Sequence, residues 1–215
     1  MRRTILLAAF AVASLAVADL PAGAADDAPP ASTSAMTAEA IFAGGCFWCI
    51  EADLEKVPGV GDVVSGYSGG EGENPTYQDH SKRGFREVVR VPYDPSEVSY
   101  ERLVEIFFRS VDPTDDGGQF CDRGHSYTTA IYARSAAELA TANRVKERLA
   151  ADLRDPIVTH VEAAAPVTDA EDYHQDYARK NPQRYNYYRR ACRRDQTVKS
   201  IWGDRAYDGI KEKTS

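Results

Sequence analysis

Two adjacent glycines, Gly44 and Gly45, separate an apolar run at 38–43 from a segment at 47–57 in which apolar residues recur at helical spacing. The first run predicts a β-strand, and the spacing of the second predicts an α-helix that begins at Cys46. Glycine adopts backbone conformations that other residues avoid, so the pair permits a sharp turn between the two elements. The sequence therefore predicts a cysteine at the first turn of a helix, with an accessible sulfur.

Cys46 has the features of a reactive thiol at that position. The N-terminus of a helix favours negative charge, which predicts a pKa for Cys46 below the value of about 8.5 of a free thiol. Phe47 and Trp48 follow directly, and an aromatic surface beside a thiolate suits an uncharged substrate that carries a methyl group. A structural disulfide or an inert buried cysteine is the alternative interpretation.

The chain contains four cysteines, at positions 46, 49, 121 and 192. Only Cys46 and Cys49 have the spacing of a pair of zinc ligands, and no second close pair would complete a site, so no metal is predicted. In an exported protein, four cysteines are also compatible with two structural disulfides.

The N-terminus has the pattern of a signal peptide at 1–25. Arg2 and Arg3 precede an apolar run of about 13 residues, and small residues at 22–25 form a cleavage site. Residues 26–37 are rich in Ala, Pro, Ser and Asp and predict a flexible linker. We therefore expect an exported protein, periplasmic or otherwise extracytoplasmic, without a membrane association after cleavage.

The remaining chain predicts one domain. Its strand and helix patterns are interspersed, and several connections are short, so we expect an α+β fold: a two-layer sandwich in which helices pack on a mixed β-sheet, arranged as a ferredoxin-like roll. Further strands are expected at 60–67, 128–133 and 157–164, and helices are expected after Ser99, after Ser135 and from 169 or 170 to 180. The net charge of −7 argues against a nucleic-acid partner.

A buried carboxyl is the second chemical feature of the sequence. Residues 85–93 alternate with period two, which predicts a strand and places Glu87 on the same inward face as Val89 and Val91. Burial favours the neutral form of a carboxyl, which can then donate a proton near neutral pH. A Glu87 paired with an arginine of a neighbouring strand is the alternative.

Ordered segments along the chain resemble the motifs of the A-type peptide-methionine sulfoxide reductases. They are 45–48 with the cysteine, 65–70 and 74–77 with a glycine loop and a tyrosine, 87–95 with the acid, 112–114, 122–127 and 130–132, and finally 174–177 and 180–182. The resemblance covers 38–182, which we take as the catalytic domain, followed by a C-terminal tail at 183–215.

The resemblance implies reduction of the S epimer of methionine sulfoxide, free or in proteins, without a metal or organic cofactor. Cys46 would attack the sulfoxide sulfur, and neutral Glu87 would protonate the departing oxygen. Tyr77 and Tyr127 would bind that oxygen, Asp122 would order the site, and Phe47 and Trp48 would enclose the S-methyl group. A second thiol would then form a disulfide with oxidised Cys46, and a thioredoxin-like donor would reduce it.

The second thiol is the open question at this point. The tail lacks the family's frequent Gly-Tyr-Cys segment and carries Cys192 among arginines instead. We expect Cys192 to resolve the sulfenic acid, because a mobile tail could bring it to Cys46 and Arg190, Arg193 and Arg194 would favour its thiolate. Cys49 and Cys121 are the alternatives.

Two other classes of function fit parts of the sequence. A Cys-x-x-Cys thiol–disulfide oxidoreductase would use Cys46 and Cys49 alone, and an exported binding module would hold four cysteines in two disulfides. We expect a monomer. The histidines at 80, 125 and 160 are expected on the surface or in loops, and His174 is expected to pack the last helix of the domain.

Overall fold

A computed structural model describes residues 36–211 of the chain. The predicted signal peptide at 1–25, and the linker at 26–37 apart from its last two residues, lie outside this range. Among the residues that the structure describes, no helix has both the length and the apolar composition needed to cross a membrane.

The described residues form short strands that are interspersed with helices, and the last three α-helices follow one another. The strands are β1 (Ala38–Gly44), β2 (Val64–Ser68), β3 (Arg86–Tyr93), β4 (Gly118–Gln119), β5 (Asp122–Arg123), β6 (Thr129–Ala133), β7 (His160–Ala163) and β8 (Val167–Asp169). The α-helices are α1 (Phe47–Leu54), α2 (Tyr100–Phe108), α3 (Ala136–Ala150), α4 (Tyr177–Lys180), α5 (Pro182–Ala191) and α6 (Arg194–Trp202). Two 3-10 helices lie at His125–Tyr127 and Gly203–Arg205.

Six of these strands form one sheet in the order β7-β6-β1-β3-β2-β8. Neighbouring strands are antiparallel except β6 and β7, which are parallel. Strands β4 and β5 form a separate hairpin. A mixed sheet with packed helices is therefore confirmed, while the ferredoxin-like roll stays a prediction.

The main core lies between the sheet and the helices. The sheet contributes Phe42, Val89 and Ile131, and the helices contribute large side chains that include Leu54, Leu103, Phe107, Leu149, Val198 and Trp202. A smaller cluster formed by Ile41, Ala43, Val88, Ala130 and Tyr132 covers the other side of the central strands. Each buried large apolar side chain contributes about 1.5–3 kcal/mol, so the larger cluster fixes α1 against the sheet.

Strand β3 has the predicted alternation. Glu87, Val89 and Val91 are all buried, and Glu87 pairs across the ladder with Tyr67 of β2. The expectation that a carboxyl lies on the inward face is therefore confirmed.

Two predicted elements differ from the structure. The strand expected at 60–67 is limited to Val64–Ser68, with a single bridge from Val60 to Tyr93 before it. The helix expected up to 180 is confined to Tyr177–Lys180, because Asp176 adopts a left-handed backbone (φ +56°) that ends any preceding helical turn.

The C-terminal segment is part of the core, contrary to the expected mobile tail. It forms α5 and α6, which bury Tyr185, Val198 and Trp202. The indole N–H of Trp202 donates to the carbonyl of Val111 at 3.1 Å. Burial of these three side chains anchors the segment and explains why it does not behave as a free arm.

Candidate active site

Cys46 occupies the N-cap position of α1, as the glycine pair predicted. Gly45 has a left-handed backbone (φ +84°), and a Cβ there would lie 2.6 Å from Cβ of Gln119. A Cβ on Gly44 would lie 2.5 Å from Cδ1 of the buried Ile50, so a side chain at 44 would displace Ile50, whereas Gly45 also needs the left-handed backbone that glycine adopts. The Cys46 side chain is only 7% exposed, and its sulfur is therefore less accessible than expected.

Glu87 reaches the first turn of α1 from the sheet. Its Oε2 accepts a hydrogen bond from the backbone N–H of Phe47 at 2.9 Å. Burial raises the pKa of Glu87 to about 8, and the nearby Asp122 charge adds to this, while the Phe47 hydrogen bond opposes it. At neutral pH the carboxyl is therefore mostly protonated and can act as an acid.

Aromatic side chains enclose the start of α1. Trp48 is half-buried and stacks on Tyr177 with ring centroids 3.6 Å apart. Its indole N–H donates to Nδ1 of His174 at 3.0 Å. Phe47 is 1% exposed and lies against His174 and Tyr67, so Trp48 presents the aromatic surface and Phe47 supports it from the core.

The two tyrosines expected at the sulfoxide oxygen lie near the same group of side chains. Burial raises the pKa of both Tyr77 and Tyr127, and the charges of Glu87 and Asp122 raise both further. Both hydroxyls are therefore neutral donors over the physiological range. Tyr77 is 40% exposed and stands at the edge of the site.

Asp122 is tied to the C-terminal helix α5. Tyr188 of that helix donates its hydroxyl hydrogen bond to Oδ2 of Asp122. Burial raises the pKa of Asp122, and the Tyr188 hydrogen bond opposes that rise. Tyr188 also lies edge-on to Trp48 at a centroid distance of 6.0 Å, so it links the acid to the aromatic wall.

The structure pairs two of the four cysteines, and the resolving role expected of Cys192 stays a prediction. Cys121 and Cys192 form a disulfide, while Cys46 and Cys49 are free and buried. Cys192 ends α5 and is bonded to Cys121, so it is not a free thiol in this structure. The structure therefore places Cys49, rather than Cys192, as the free thiol beside Cys46.

Cys46 and Cys49 share a hydrogen bond that separates their pKa values. Burial raises the pKa of Cys46, and the Cys49 sulfur and Glu87 raise it further. The hydrogen bond from Cys46 lowers the pKa of Cys49 to about 7. The helix terminus alone does not give Cys46 the low pKa that the sequence suggested, because burial outweighs it. The two thiols titrate together, and the first proton lost from the pair leaves its negative charge on Cys49.

Two histidines lie closer to the site than expected. His80 is 2% exposed, and its Nε2 lies 3.7 Å from Oε1 of Glu87. Burial lowers the pKa of His80 and of His174, so both are neutral near pH 7. His174 packs against Trp48 rather than against a long helix, and His125 and His160 are exposed as expected.

Comparisons with known proteins identify the family of this chain. The family model described as "Peptide methionine sulfoxide reductase" matches residues 38–206. The chain belongs to the peptide methionine sulfoxide reductase family. The match continues beyond residue 182 and includes α5 and α6.

Curated relatives in this family cover most of the chain. Peptide methionine sulfoxide reductase MsrA 2 of Rhizobium meliloti (strain 1021) is 57% identical over 171 residues, which are 80% of this chain and 86% of the relative. MsrA 2 of Caulobacter vibrioides is 43% identical over 206 residues, which are 94% of this chain and all of the relative. The chain is thus an oxidoreductase of the peptide methionine sulfoxide reductase type.

Solved structures of reductases support the same fold. The reduced form of Mxr1 from Saccharomyces cerevisiae is 33% identical with a TM-score of 0.65, and the match covers 68% of this chain and 86% of that one. Methionine sulfoxide reductase A of Corynebacterium diphtheriae is 30% identical with a TM-score of 0.64, and the match covers 67% of this chain and 74% of that one.

Several residues of this reductase site were missed by sequence reasoning. Glu171 accepts from the Tyr67 hydroxyl and from the Tyr77 backbone N–H, each at 2.9 Å, and so holds the Tyr77 loop on the sheet. Tyr188 and the buried Arg194 come from a segment whose composition suggested a solvated tail. No local motif marks these residues; their roles depend on how α5 and α6 pack.

Proposed function

We propose that this protein reduces the S epimer of methionine sulfoxide, free or in proteins, to methionine. The observation that carries the proposal is the pairing of Cys46 with a protonated Glu87 that is hydrogen-bonded to the first turn of the same helix. A sulfur nucleophile and a neutral acid next to each other supply both groups that removal of a sulfoxide oxygen needs.

In the first step Cys46 attacks the sulfoxide sulfur as its own proton passes to Cys49. Glu87 gives a proton to the sulfoxide oxygen, and Oε1 carries it because Oε2 accepts from Phe47. The protonated oxygen then transfers from the methionine sulfur to the Cys46 sulfur while the bond between the two sulfurs breaks, which releases methionine and leaves Cys46 as a sulfenic acid. Methionine sulfoxide is reduced by two electrons and Cys46 is oxidised by two.

The surrounding side chains bind and orient the sulfoxide. Tyr77 and Tyr127, which are neutral, donate hydrogen bonds to its oxygen. Asp122, held by Tyr188, orders the same group of side chains. Trp48 contacts the S-methyl group, with Phe47 behind it.

In the second step Cys49 resolves the sulfenic acid. Cys49 gives up the proton that it received from Cys46, and its thiolate attacks the Cys46 sulfur. The sulfur–sulfur bond forms, the sulfur–oxygen bond of the sulfenic acid breaks, and the hydroxyl takes up that proton and leaves as water. The support for Cys49 is its hydrogen bond to Cys46 and the commitment of Cys192 to Cys121. A thioredoxin-like donor then returns two electrons and restores both thiols. Attack by Cys192, as expected from the sequence, is the other outcome to be tested.

An assay with the separate epimers tests this function. We expect turnover of a peptide that carries the S-sulfoxide, no turnover of the R-sulfoxide, and no methionine release by Cys46→Ser. Circular dichroism of that variant controls for folding. Equal turnover of both epimers, or a full single-turnover burst in Cys46→Ser, would contradict the proposal.

The Cys-x-x-Cys oxidoreductase remains a second candidate because Cys46 and Cys49 are free and hydrogen-bonded to each other. It would reshuffle disulfides in a model substrate and release no methionine from sulfoxides. A binding module with two structural disulfides has less support, since the described residues contain one disulfide and two free thiols.

We further propose that the protein is exported and acts as a monomer. The signal-peptide pattern at 1–25 supports export, and so does a disulfide between Cys121, which is exposed, and Cys192. Cell fractionation with N-terminal sequencing of the mature chain tests the location. Analytical ultracentrifugation tests the monomer.

A further inference from the structure

Arg194 brings a buried positive charge to the start of α1. It is 2% exposed, and its guanidinium donates to the carbonyl of Ser110 at 2.9 Å and to that of Gly44 at 3.4 Å. The same group lies over the ring of Phe120, 4.7 Å from its centroid. All of these partners are neutral.

The nearest carboxylate does not fully compensate this charge. Oδ2 of Asp53 lies 3.8 Å from Nε of Arg194, and that oxygen already accepts from Arg189 at 3.0 Å. Nε of Arg194 has no hydrogen-bond partner among the described residues. A buried cation with so little compensation is costly, and a nearby anion would lower that cost.

Cys49 can supply that anion. It lies one helical turn before Asp53 on α1 and is 2% exposed. Arg189 approaches the same turn from α5, where it also binds Asp195 at 2.7 Å. The two arginines thus face this stretch of α1 from the two C-terminal helices.

We propose that Arg194, assisted by Arg189, is a positioning residue of the reductase that holds Cys49 as the thiolate which attacks oxidised Cys46. The proposal rests on the proposed role of Cys49 and assigns a role to the C-terminal arginines. The sequence suggested that Arg190, Arg193 and Arg194 act on Cys192. Arg190 and Arg193 are exposed, whereas Arg194 is buried and approaches Asp53 of α1.

The charges around Cys49 predict that removal of a neighbouring arginine and removal of a neighbouring acid shift the pKa of Cys49 in opposite directions. The hydrogen bond from Cys46 lowers the pKa of Cys49 most, and the charges of Arg194 and Arg189 lower it further, while burial and the charge of Asp53 raise it. The other titratable groups that face it are Glu87, Tyr185 and Tyr188. Loss of an arginine and loss of Asp53 should therefore move the pKa in opposite directions.

The experiment follows alkylation of Cys49 by iodoacetamide between pH 5 and pH 10, in Cys46→Ser protein, with the modified peptide quantified by mass spectrometry. The serine that replaces Cys46 retains a hydroxyl donor. We expect Arg194→Met to raise the midpoint of the pH profile, and alkylation at low pH to slow about tenfold for every pH unit by which the midpoint rises. Arg194→Lys keeps the positive charge and should give a midpoint close to that of the Cys46→Ser parent. Asp53→Asn should lower the midpoint, and the exposed Arg190→Met should leave it unchanged.

The opposite response of Asp53→Asn separates charge from structural damage, because a structural defect would move both variants in the same direction. If Arg194→Met does not fold, Arg189→Met, whose side chain is less buried, provides the same comparison. Equal midpoints in the arginine variants and the Arg190→Met control would overturn the proposal. Mass mapping of wild-type protein after one equivalent of sulfoxide tests the Cys49 route separately, since a missing Cys46–Cys49 disulfide would refute that route even where the alkylation midpoints move as predicted.

Discussion

Glu87 shows how one residue can serve the reaction at a cost to the fold. Its carboxyl is buried and its pKa is raised to about 8, mainly by desolvation. The neutral form is the one that can donate a proton to a sulfoxide oxygen at neutral pH. The same burial opposes ionisation of the carboxyl in the folded state.

The catalytic consequence is tested by Glu87→Gln. The amide keeps the shape and can still accept the Phe47 hydrogen bond, but it has no acidic proton. We expect the single-turnover rate of methionine release to fall by about 10²–10⁴-fold at pH 7. In wild-type protein the same rate should fall as pH rises through about 8, where Glu87 loses its proton. A rate in the variant close to that of wild type would show that another group supplies the proton.

Glu87→Gln should slow the reaction but should stabilise the folded protein at alkaline pH. A carboxyl whose pKa is raised in the folded state contributes stability that is present below its unfolded pKa of about 4.3 and is lost as pH rises through about 8. We therefore expect Glu87→Gln to be more stable than wild type at pH 8–9, with little difference near pH 4. Urea unfolding at both pH values measures this, and a variant that is less stable at pH 9 would contradict it.

At the scale of elements, the disulfide joins the β5 region to the end of α5. Cys121 directly precedes Asp122, and Cys192 lies one turn after Tyr188, so the disulfide and the Tyr188–Asp122 hydrogen bond connect the same two segments. This arrangement holds the C-terminal helices on the site. We interpret the disulfide as structural.

Replacement of both residues, Cys121→Ser with Cys192→Ser, tests that interpretation. The disulfide spans a sequence separation of 71, and its loss should lower the free energy of unfolding by about 2–4 kcal/mol. Multiple turnover with a thioredoxin-like donor should persist, because Cys46 and Cys49 remain. Turnover that stops after one methionine per enzyme would show instead that Cys192 takes part in the redox cycle.

The sequence predicted those elements that have a strong local period. Residues 85–93 alternate, and 47–57 repeat at helical spacing, so β3, α1 and the placement of Cys46 and Glu87 followed from local pattern. The packing of α5 and α6 did not follow, because Tyr185, Val198 and Trp202 are few and widely spaced among charged residues. Asp176, with its left-handed backbone, likewise has no signal that distinguishes it from a helical residue.

At the scale of the whole molecule, the four cysteines have separate tasks. The disulfide pair joins the C-terminal helices to the residue before strand β5, which carries Asp122. The buried free pair lies where α1, Glu87 and the two arginines meet. Sequence spacing could not decide between Cys49, Cys121 and Cys192, because each partner depends on long-range packing. The three-dimensional pairing leaves Cys49 as the free thiol beside Cys46, which is why we propose that Cys49 acts with Cys46.

Mass mapping of the cysteines after one equivalent of an S-sulfoxide peptide tests this account most directly. The protein is incubated without a reductant, its free thiols are alkylated, and its peptides are mapped. We predict one methionine released per enzyme, a Cys46–Cys49 disulfide, and an unchanged Cys121–Cys192 disulfide. A Cys46–Cys192 or Cys46–Cys121 disulfide, or the absence of released methionine with Cys46 still alkylated, would contradict it.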